Sequence, residues 1–244
     1  MRKEAEIFDQ IVEYRRSCRL YDTEHKMDAG VVERSIRRAV LAPNSSNMQL
    51  WEFYRIKSPE KVAKIAEFCL NQKGARTASE MVVFVARPDL WRKRIKTHLA
   101  HFKEEPEIQE KKSVLNTSKK EYYGKIMPMF YDSSLSWIRD LFKWFLVTNR
   151  RRKKPFMTNV YSKHIPVVVH KSLALAAQTF MLSISAEGYD SLPMEGFDAK
   201  RIKSFLNLPT KAEINMVVSV GKRLPEGIKG ERYRMPFEEV YFEL

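Results

Sequence analysis

Several groups of residues in this 244-residue chain have types and spacings that could support chemistry. Near the N-terminus, Arg15, Arg16 and Ser17 are followed by Arg19. Guanidinium presents paired donors that match phosphate geometry, so two of them beside a hydroxyl form a plausible cradle for a dianion. The same cations would serve equally well as the complement to a helix macrodipole. Pro43, Asn44, Ser45, Ser46, Asn47 and Gln49 bring together amides and hydroxyls that can rim a polar heteroaromatic ligand without charging it. An ordinary helix-to-strand connection draws on the same residue types. Later, Glu195 and Gly196 lie between Pro193 and Phe197, and Arg232 and Arg234 sit two apart. Glycine allows backbone to approach a flat ring closely, although a simple turn uses it just as well.

These side chains need elements to hold them. Ile7, Phe8, Ile11 and Val12 predict an amphipathic helix over 4–16 that ends in the first arginines. Val31, Val32, Ile36, Ala39 and Val40 predict a second over 28–42, with Arg34, Arg37 and Arg38 on its other side. Alternation over 51–57 predicts a strand, and the apolar run 81–86 a buried one. Residues 59–70 read as a helix with Pro59 near its first position, and Asn71 follows in the turn. The stretch 171–188 is apolar almost all round, which predicts a helix buried on most sides with Gly188 as a fitting C-cap. A short helix is expected near 199–205 and a last core strand over 213–221. Weak alternation over 237–244 suggests an added edge strand.

Taken in sequence order, four motifs resemble the nitroreductase family of FMN-dependent oxidoreductases. They are the R-R-S-x-R element at 15–19, the polar loop at 43–51, P-M-E-G-F at 193–197 and R-x-R at 232–234. The resemblance covers 5–90 and 165–244. It implies an α+β fold with a central, mainly antiparallel sheet flanked by helices, a single domain over 1–244, and an intertwined homodimer. It further implies FMN as cofactor and NAD(P)H as electron donor. Electrons would pass through flavin N5 to a small nitroaromatic- or quinone-like acceptor, in ping-pong fashion.

Carried over by position, Arg15, Arg16 and Ser17 would hold the FMN phosphate and ribityl chain, with Arg19 nearer the pyrimidine. Pro43, Asn44, Ser45 and Asn47 would reach the partner's flavin across the dimer interface. Asn71 would approach the ring, and the backbone N–H of Gly196 would point at N5 or O4, with Glu195 alongside. Arg232 and Arg234 would complete the phosphate and ring-charge site. The hard chemistry belongs to the flavin, so no catalytic side chain is expected. Arg19 and Arg232 are the candidates for stabilising negative charge on the reduced ring. Two positions depart from the family pattern: Asn44 stands where serine is usual and can still donate and accept, and Leu50 stands where proline is usual, which should loosen the loop.

Composition narrows the alternatives. Hydrophobic residues make up 44% and charged ones 30%, as in soluble globular proteins. No signal peptide is read, and no run approaches the length of a membrane span. Cys18 and Cys69 are too far apart for a C-x-x-C, which suggests neither zinc nor a redox pair and fits a reducing cytoplasm. His98 and His101 lack the partners of a metal site. Rossmann, P-loop and G-x-S-x-G signatures do not occur, nor does a nucleic-acid reading module.

The net charge of +14 is unevenly placed. Residues 91–160 carry 17 Lys and Arg against 7 Asp and Glu, and here the family resemblance stops. Within this basic insertion, 134–147 predicts an amphipathic helix with Leu135, Ile138, Leu141, Phe142 and Phe145 near one face, followed by a basic block at 150–154. As a lid, its aromatics Trp137, Phe142, Trp144 and Phe145 would wall the ligand pocket. It would equally suit an arm around the partner. A third reading, tied to a non-enzymatic flavin-containing binding protein, is weak contact with an anionic membrane surface.

Overall fold

The structure is a computed structural model that describes residues 2–112, 117–132, 134 and 136–244. At its centre, β1 (Trp51–Ile56), β2 (Glu80–Ala86), β3 (Asp190–Met194) and β4 (Glu213–Gly221) pair antiparallel in the order β1-β2-β4-β3. Every residue of β2 is buried, because side chains that alternate between faces meet helices on both. Val82, Phe84 and Ala86 join one cluster with Val31, Val32, Leu173, Ala177 and Phe180. Met81, Val83 and Val85 join another with Val62, Ile65, Ala66 and Ile202. The first set comes from α2 (Val31–Ala39) and the long α10 (His164–Ala186). The second comes from α3 (Pro59–Phe68) and α11 (Ala199–Phe205). The fold is therefore α+β with a covered antiparallel sheet.

Sequence patterning misses β3. This strand is five residues long, opens on Asp190 and Ser191, and contains Pro193, which hydropathy reads as a turn. Proline is tolerated there because β3 lies at the sheet edge with β4 as its strand partner, and the isolated bridge on its other side reaches Ser191 rather than Pro193. The predicted edge strand at 237–244 does not form. A short 3₁₀ turn, Phe237–Glu239, occupies it, and its apolar side chains lie exposed.

Length and composition make α10 long and apolar enough to cross a membrane, contrary to the reading of the sequence. Its inward residues pack on the sheet as core. Its outward stripe, including Val167 and Leu175, remains exposed in the single chain, so burial is less complete than the sequence predicts. The N-terminal helix α1 (Lys3–Tyr14) buries no residue at all, and Ile7, Phe8 and Val12 face outward.

The basic insertion begins with α5 (Trp91–Glu104), followed by the short α6 (Pro106–Glu110) and α7 (Lys119–Glu121). A π-turn at Tyr122–Ile126 then leads into α8 (Met127–Tyr131). The predicted amphipathic helix is α9 (Ser136–Arg151), although Leu135 lies outside the described residues. Its apolar face does not turn in as the lid reading expects. Lys143 and Val147 face inward and are buried, whereas Trp137, Leu141, Phe142, Trp144 and Phe145 are each more than half exposed.

Candidate functional site

The first arginines sit where α1 meets the free edge of β3. Arg15 follows the last turn of α1, and its N–H donates to the Ile11 carbonyl at 3.1 Å. Ser17 then pairs with Ser191, and the Cys18 N–H reaches the Ser191 carbonyl at 3.1 Å. Beyond it, the Arg19 N–H donates to the Gly227 carbonyl at 2.7 Å. The chain is thus clamped between β3 and the segment that follows β4. Glycine is required at 227, because a Cβ there would collide with the Leu20 carbonyl.

That clamp brings the two ends of the chain together. Arg16 donates to the Gly230 carbonyl at 2.9 Å. The Arg232 guanidinium turns back onto α1 and donates to the carbonyls of Glu13 (2.7 Å) and Arg15 (2.9 Å). Burial lowers the Arg15 pKa, and the positive charges of Arg232, Arg234 and Arg16 lower it further. Among the described residues, none of these four guanidiniums is ion-paired with a carboxylate. The nearby acid is already committed: Asp190 is buried and bound to Arg223 at 2.6 Å. Burial raises the Asp190 pKa, and the Arg223 contacts oppose that. Cations gathered without anions form an anion-binding field.

The ring-contact candidates lie at the continuation of this edge. After α3 the backbone turns through left-handed Leu70 (φ 60°) and Asn71 (φ 52°) into α4 (Lys73–Arg76). A Cβ at Gly74 would stand 2.6 Å from Leu192 and 3.1 Å from the Cys18 carbonyl, so α4 presses directly on the arginine segment. Gln72 donates through Nε2 to the Gly196 carbonyl at 3.0 Å, and the Asp198 N–H donates to the Phe68 carbonyl at 2.8 Å. Gly196 differs from Gly227 and Gly74. Its φ is not left-handed, and a Cβ would meet only Gln72 Nε2, at 3.5 Å. The chain's own atoms do not demand glycine there. Asn71 and Glu195 are exposed beside it.

The polar loop lies elsewhere. Its turn Ser45–Asn47 is fixed to α10 by the Ser45 N–H, which donates to Ser172 Oγ at 3.1 Å. Tyr14, just before Arg15, instead donates to the Gly188 carbonyl beyond the other end of α10. Ser172 and the helix end at Ala186 are about 21 Å apart at helical rise. One chain therefore gathers Arg15, Arg16, Ser17, Arg19, Arg232 and Arg234 where α1, the edge of β3 and the segment after β4 meet, sets Asn71, Glu195 and Gly196 beyond the far end of β3, and holds the loop of Pro43, Asn44, Ser45 and Asn47 on α10 at Ser172.

Internal bonds and the basic insertion fix the loop's shape. Asn44 Oδ1 accepts from the Gln49 N–H at 2.8 Å across the turn. Leu50 does not loosen the loop: it is buried in the core, and its carbonyl accepts from the Arg87 N–H at 2.9 Å. From α5, His98 Nε2 lies 2.9 Å from the Asn47 carbonyl, so that nitrogen carries the proton. Burial lowers the His98 pKa, which favours the neutral ring. Tyr123 donates to the Ser46 carbonyl at 2.6 Å, and the Tyr122 and Ser46 hydroxyls bond at 2.7 Å. Beside the loop lies a cavity of about 290 Å³ lined by Ser45 and Ser46, by Met127, Phe130, Tyr131 and Val168, and by polar groups of Asn159 and His164. The wall comes from α8 and the start of α10, where the sequence assigned it to Trp137, Phe142, Trp144 and Phe145.

The sequence model of the nitroreductase family matches residues 12–222 of this chain. The chain belongs to the nitroreductase family. Protein DrgA of Synechocystis sp. is 27% identical over 229 residues, covering 94% of this chain and 90% of DrgA. The oxygen-insensitive NAD(P)H nitroreductase of Enterobacter cloacae is 24% identical over 213 residues, covering 84% of this chain and 82% of that enzyme. Among solved structures, a protein described as a nitroreductase of Exiguobacterium sibiricum, in complex with FMN, superimposes with a TM-score of 0.69 at 21% identity. The match spans 97% of both chains. In this nitroreductase-family chain, motif reading singles out the arginines and the loop but not Gln72, His98, Tyr122, Tyr123 and Ser172, which bond to the loop or to Gly196. Each acts through a partner tens of residues away, a relation that no local spacing encodes.

Proposed function

We propose that this nitroreductase-family protein is a homodimeric FMN-dependent oxidoreductase that takes electrons from NAD(P)H and passes them to a small acceptor, alternating between the two at one site. The observation that carries the reading is the convergence of Arg15, Arg16, Arg232 and Arg234, with no carboxylate partner among the described residues. It gives a terminal phosphate its cradle, with Ser17 adding a hydroxyl. Farther along the same edge, Asn71 and Gln72 offer amides to the ring, and Gly196 leaves space that its own chain does not fill. When bound, the flavin supplies hydride and electron transfer at N5. The chain's residues bind and orient it, and Arg19 supplies positive charge toward the pyrimidine.

Two observations support a site shared between subunits. The Pro43–Asn47 loop is tied to α10 at Ser172, about 21 Å at helical rise from the helix end beside which the arginine segment starts. Apolar side chains on α1, α10 and the C-terminal tail are left uncovered: Phe8, Leu175, Phe237 and Phe242 are at least half exposed. Soluble monomers seldom tolerate so much. The apolar cavity beside Ser45 supports a small, flat acceptor of nitroaromatic or quinone type. Both cysteines are buried and unbridged, which fits a reducing cytoplasm.

The test is direct. The purified protein should be yellow, release FMN on denaturation, and bleach under anaerobic conditions on addition of NADH or NADPH. A colourless protein that FMN cannot reconstitute removes the proposal.

A further inference from the structure

The outward face of α9 is an amphipathic helix surface placed the wrong way round for a core. Trp137 is 72% exposed, Leu141 62%, Phe142 60%, Trp144 55% and Phe145 63%, while a lysine, Lys143, takes the inward position. The inward side is anchored by polar bonds: Asp140 accepts from the Ser162 N–H and hydroxyl at 3.0 Å, and Arg139 pairs with Asp132 at 3.0 Å. These contacts fix the rotation of the helix, so its apolar face does not turn in. At its C-terminal end, Arg150, Arg151, Arg152, Lys153 and Lys154 are all exposed, and none is ion-paired among the described residues.

We infer that this face docks on an anionic lipid surface, with the aromatics entering the interface and the five cations meeting headgroup phosphates. Large aromatic and aliphatic side chains on one face, two of them tryptophan, combined with a terminal basic block, are what an interfacial helix requires. Charge decides between this occupant and a second copy of the chain. In a two-fold contact of α9 with itself, each basic block would meet either the other block or the first turns of the partner helix. There Arg139 adds positive charge, and Asp140 is already bound inward. Five cations would be left facing no anion, whereas a bilayer containing acidic lipid supplies one for each. The inference does not depend on bound flavin.

Cosedimentation of the full chain with vesicles tests it. Binding is expected to phosphatidylcholine vesicles containing phosphatidylglycerol, with little to pure phosphatidylcholine, and is expected to weaken as salt is raised. Replacing Arg151, Arg152 and Lys153 with Gln should weaken binding on the order of a hundredfold, since each basic residue near such a surface contributes roughly a factor of five. Trp144→Ser with Phe145→Ser should abolish it. Both sets of positions are exposed, so the circular dichroism spectrum should not change. Three results would overturn the inference. One is absence of binding to acidic vesicles at low salt, and another is equal binding to pure phosphatidylcholine. The third is a fall in assembly mass of the Trp144→Ser, Phe145→Ser protein in vesicle-free solution, which would assign the face to a second copy.

Discussion

Arg232 and Arg234 stand two residues apart in the same cationic cluster, yet the structure gives them different duties, and Arg→Ala at each should separate those duties. Arg234 spends one guanidinium N–H on its neighbour's carbonyl, at 2.7 Å, and otherwise contributes charge that depresses the Arg15 pKa. Arg232 caps the end of α1 through Glu13 and Arg15. If both face the FMN phosphate, either alanine removes a charge-assisted bond worth about 1.5–3 kcal/mol. That corresponds to a rise in Kd of about 10- to 150-fold. Riboflavin lacks the phosphate and so serves as an internal control. In a fluorescence titration, the Arg234→Ala protein should lose at least about tenfold in its preference for FMN over riboflavin, while riboflavin affinity barely moves. Stability of the flavin-free protein should then split the pair. Arg232→Ala forfeits the helix cap and should lower unfolding free energy by about 1–2 kcal/mol. Arg234→Ala relieves repulsion on Arg15 and should leave the urea midpoint unchanged or slightly raised. An unchanged FMN-to-riboflavin preference in Arg234→Ala would refute the assignment of this cluster to a phosphate.

Flavin released by heat should be FMN; FAD in the supernatant would mean that the arginines do not close on a terminal phosphate. Sedimentation at micromolar concentration should give a dimer, and Leu175→Arg on the exposed stripe of α10 should yield monomers that lose their flavin. A yellow, active monomer would contradict a shared site. Glu187 accepts from Arg34 and Arg38, and these bonds hold its pKa at about 2, below the ordinary 4.5. A carboxylate with a depressed folded pKa stabilises fully above its unfolded value, and that contribution disappears as pH falls through 4.5 toward about 2. Glu187→Gln should therefore cost about 1–2 kcal/mol at neutral pH, after allowance for screening, and nearly nothing near pH 2. A constant difference across that range in urea titrations would exclude the linkage.

What the sequence made legible follows the range of the interactions involved. The strands β1, β2 and β4 are visible because burial imposes either alternation or a continuous apolar run on neighbouring residues. The arginine motif and the loop are visible because their residue types are unusual together. β3 is hidden: its five residues become a strand only through pairing with β4, and Pro193 argues against it locally. The tail misleads in the opposite sense, since alternation over a few residues cannot supply the neighbour that a strand needs. α9 is legible as a helix, but not which way its apolar face points. Its apolar stripe gives the period, but Asp140, held by Ser162 twenty-two residues away, decides which side faces in.

The loop at 43–51 is wound through three left-handed residues that are not glycine: Ser46, Asn47 and Gln49, with φ of 53°, 50° and 48°. Serine and glutamine adopt that conformation only when their surroundings enforce it. Here much of the enforcement comes from His98, Tyr122 and Tyr123, all within the basic stretch at 91–160. For protein engineering, the insertion is therefore not a detachable module. Excising 91–160 would remove the contacts to Ser46 and Asn47 as well as part of the cavity wall. The transplant that should succeed moves the loop and its three props together, as one heritable cassette.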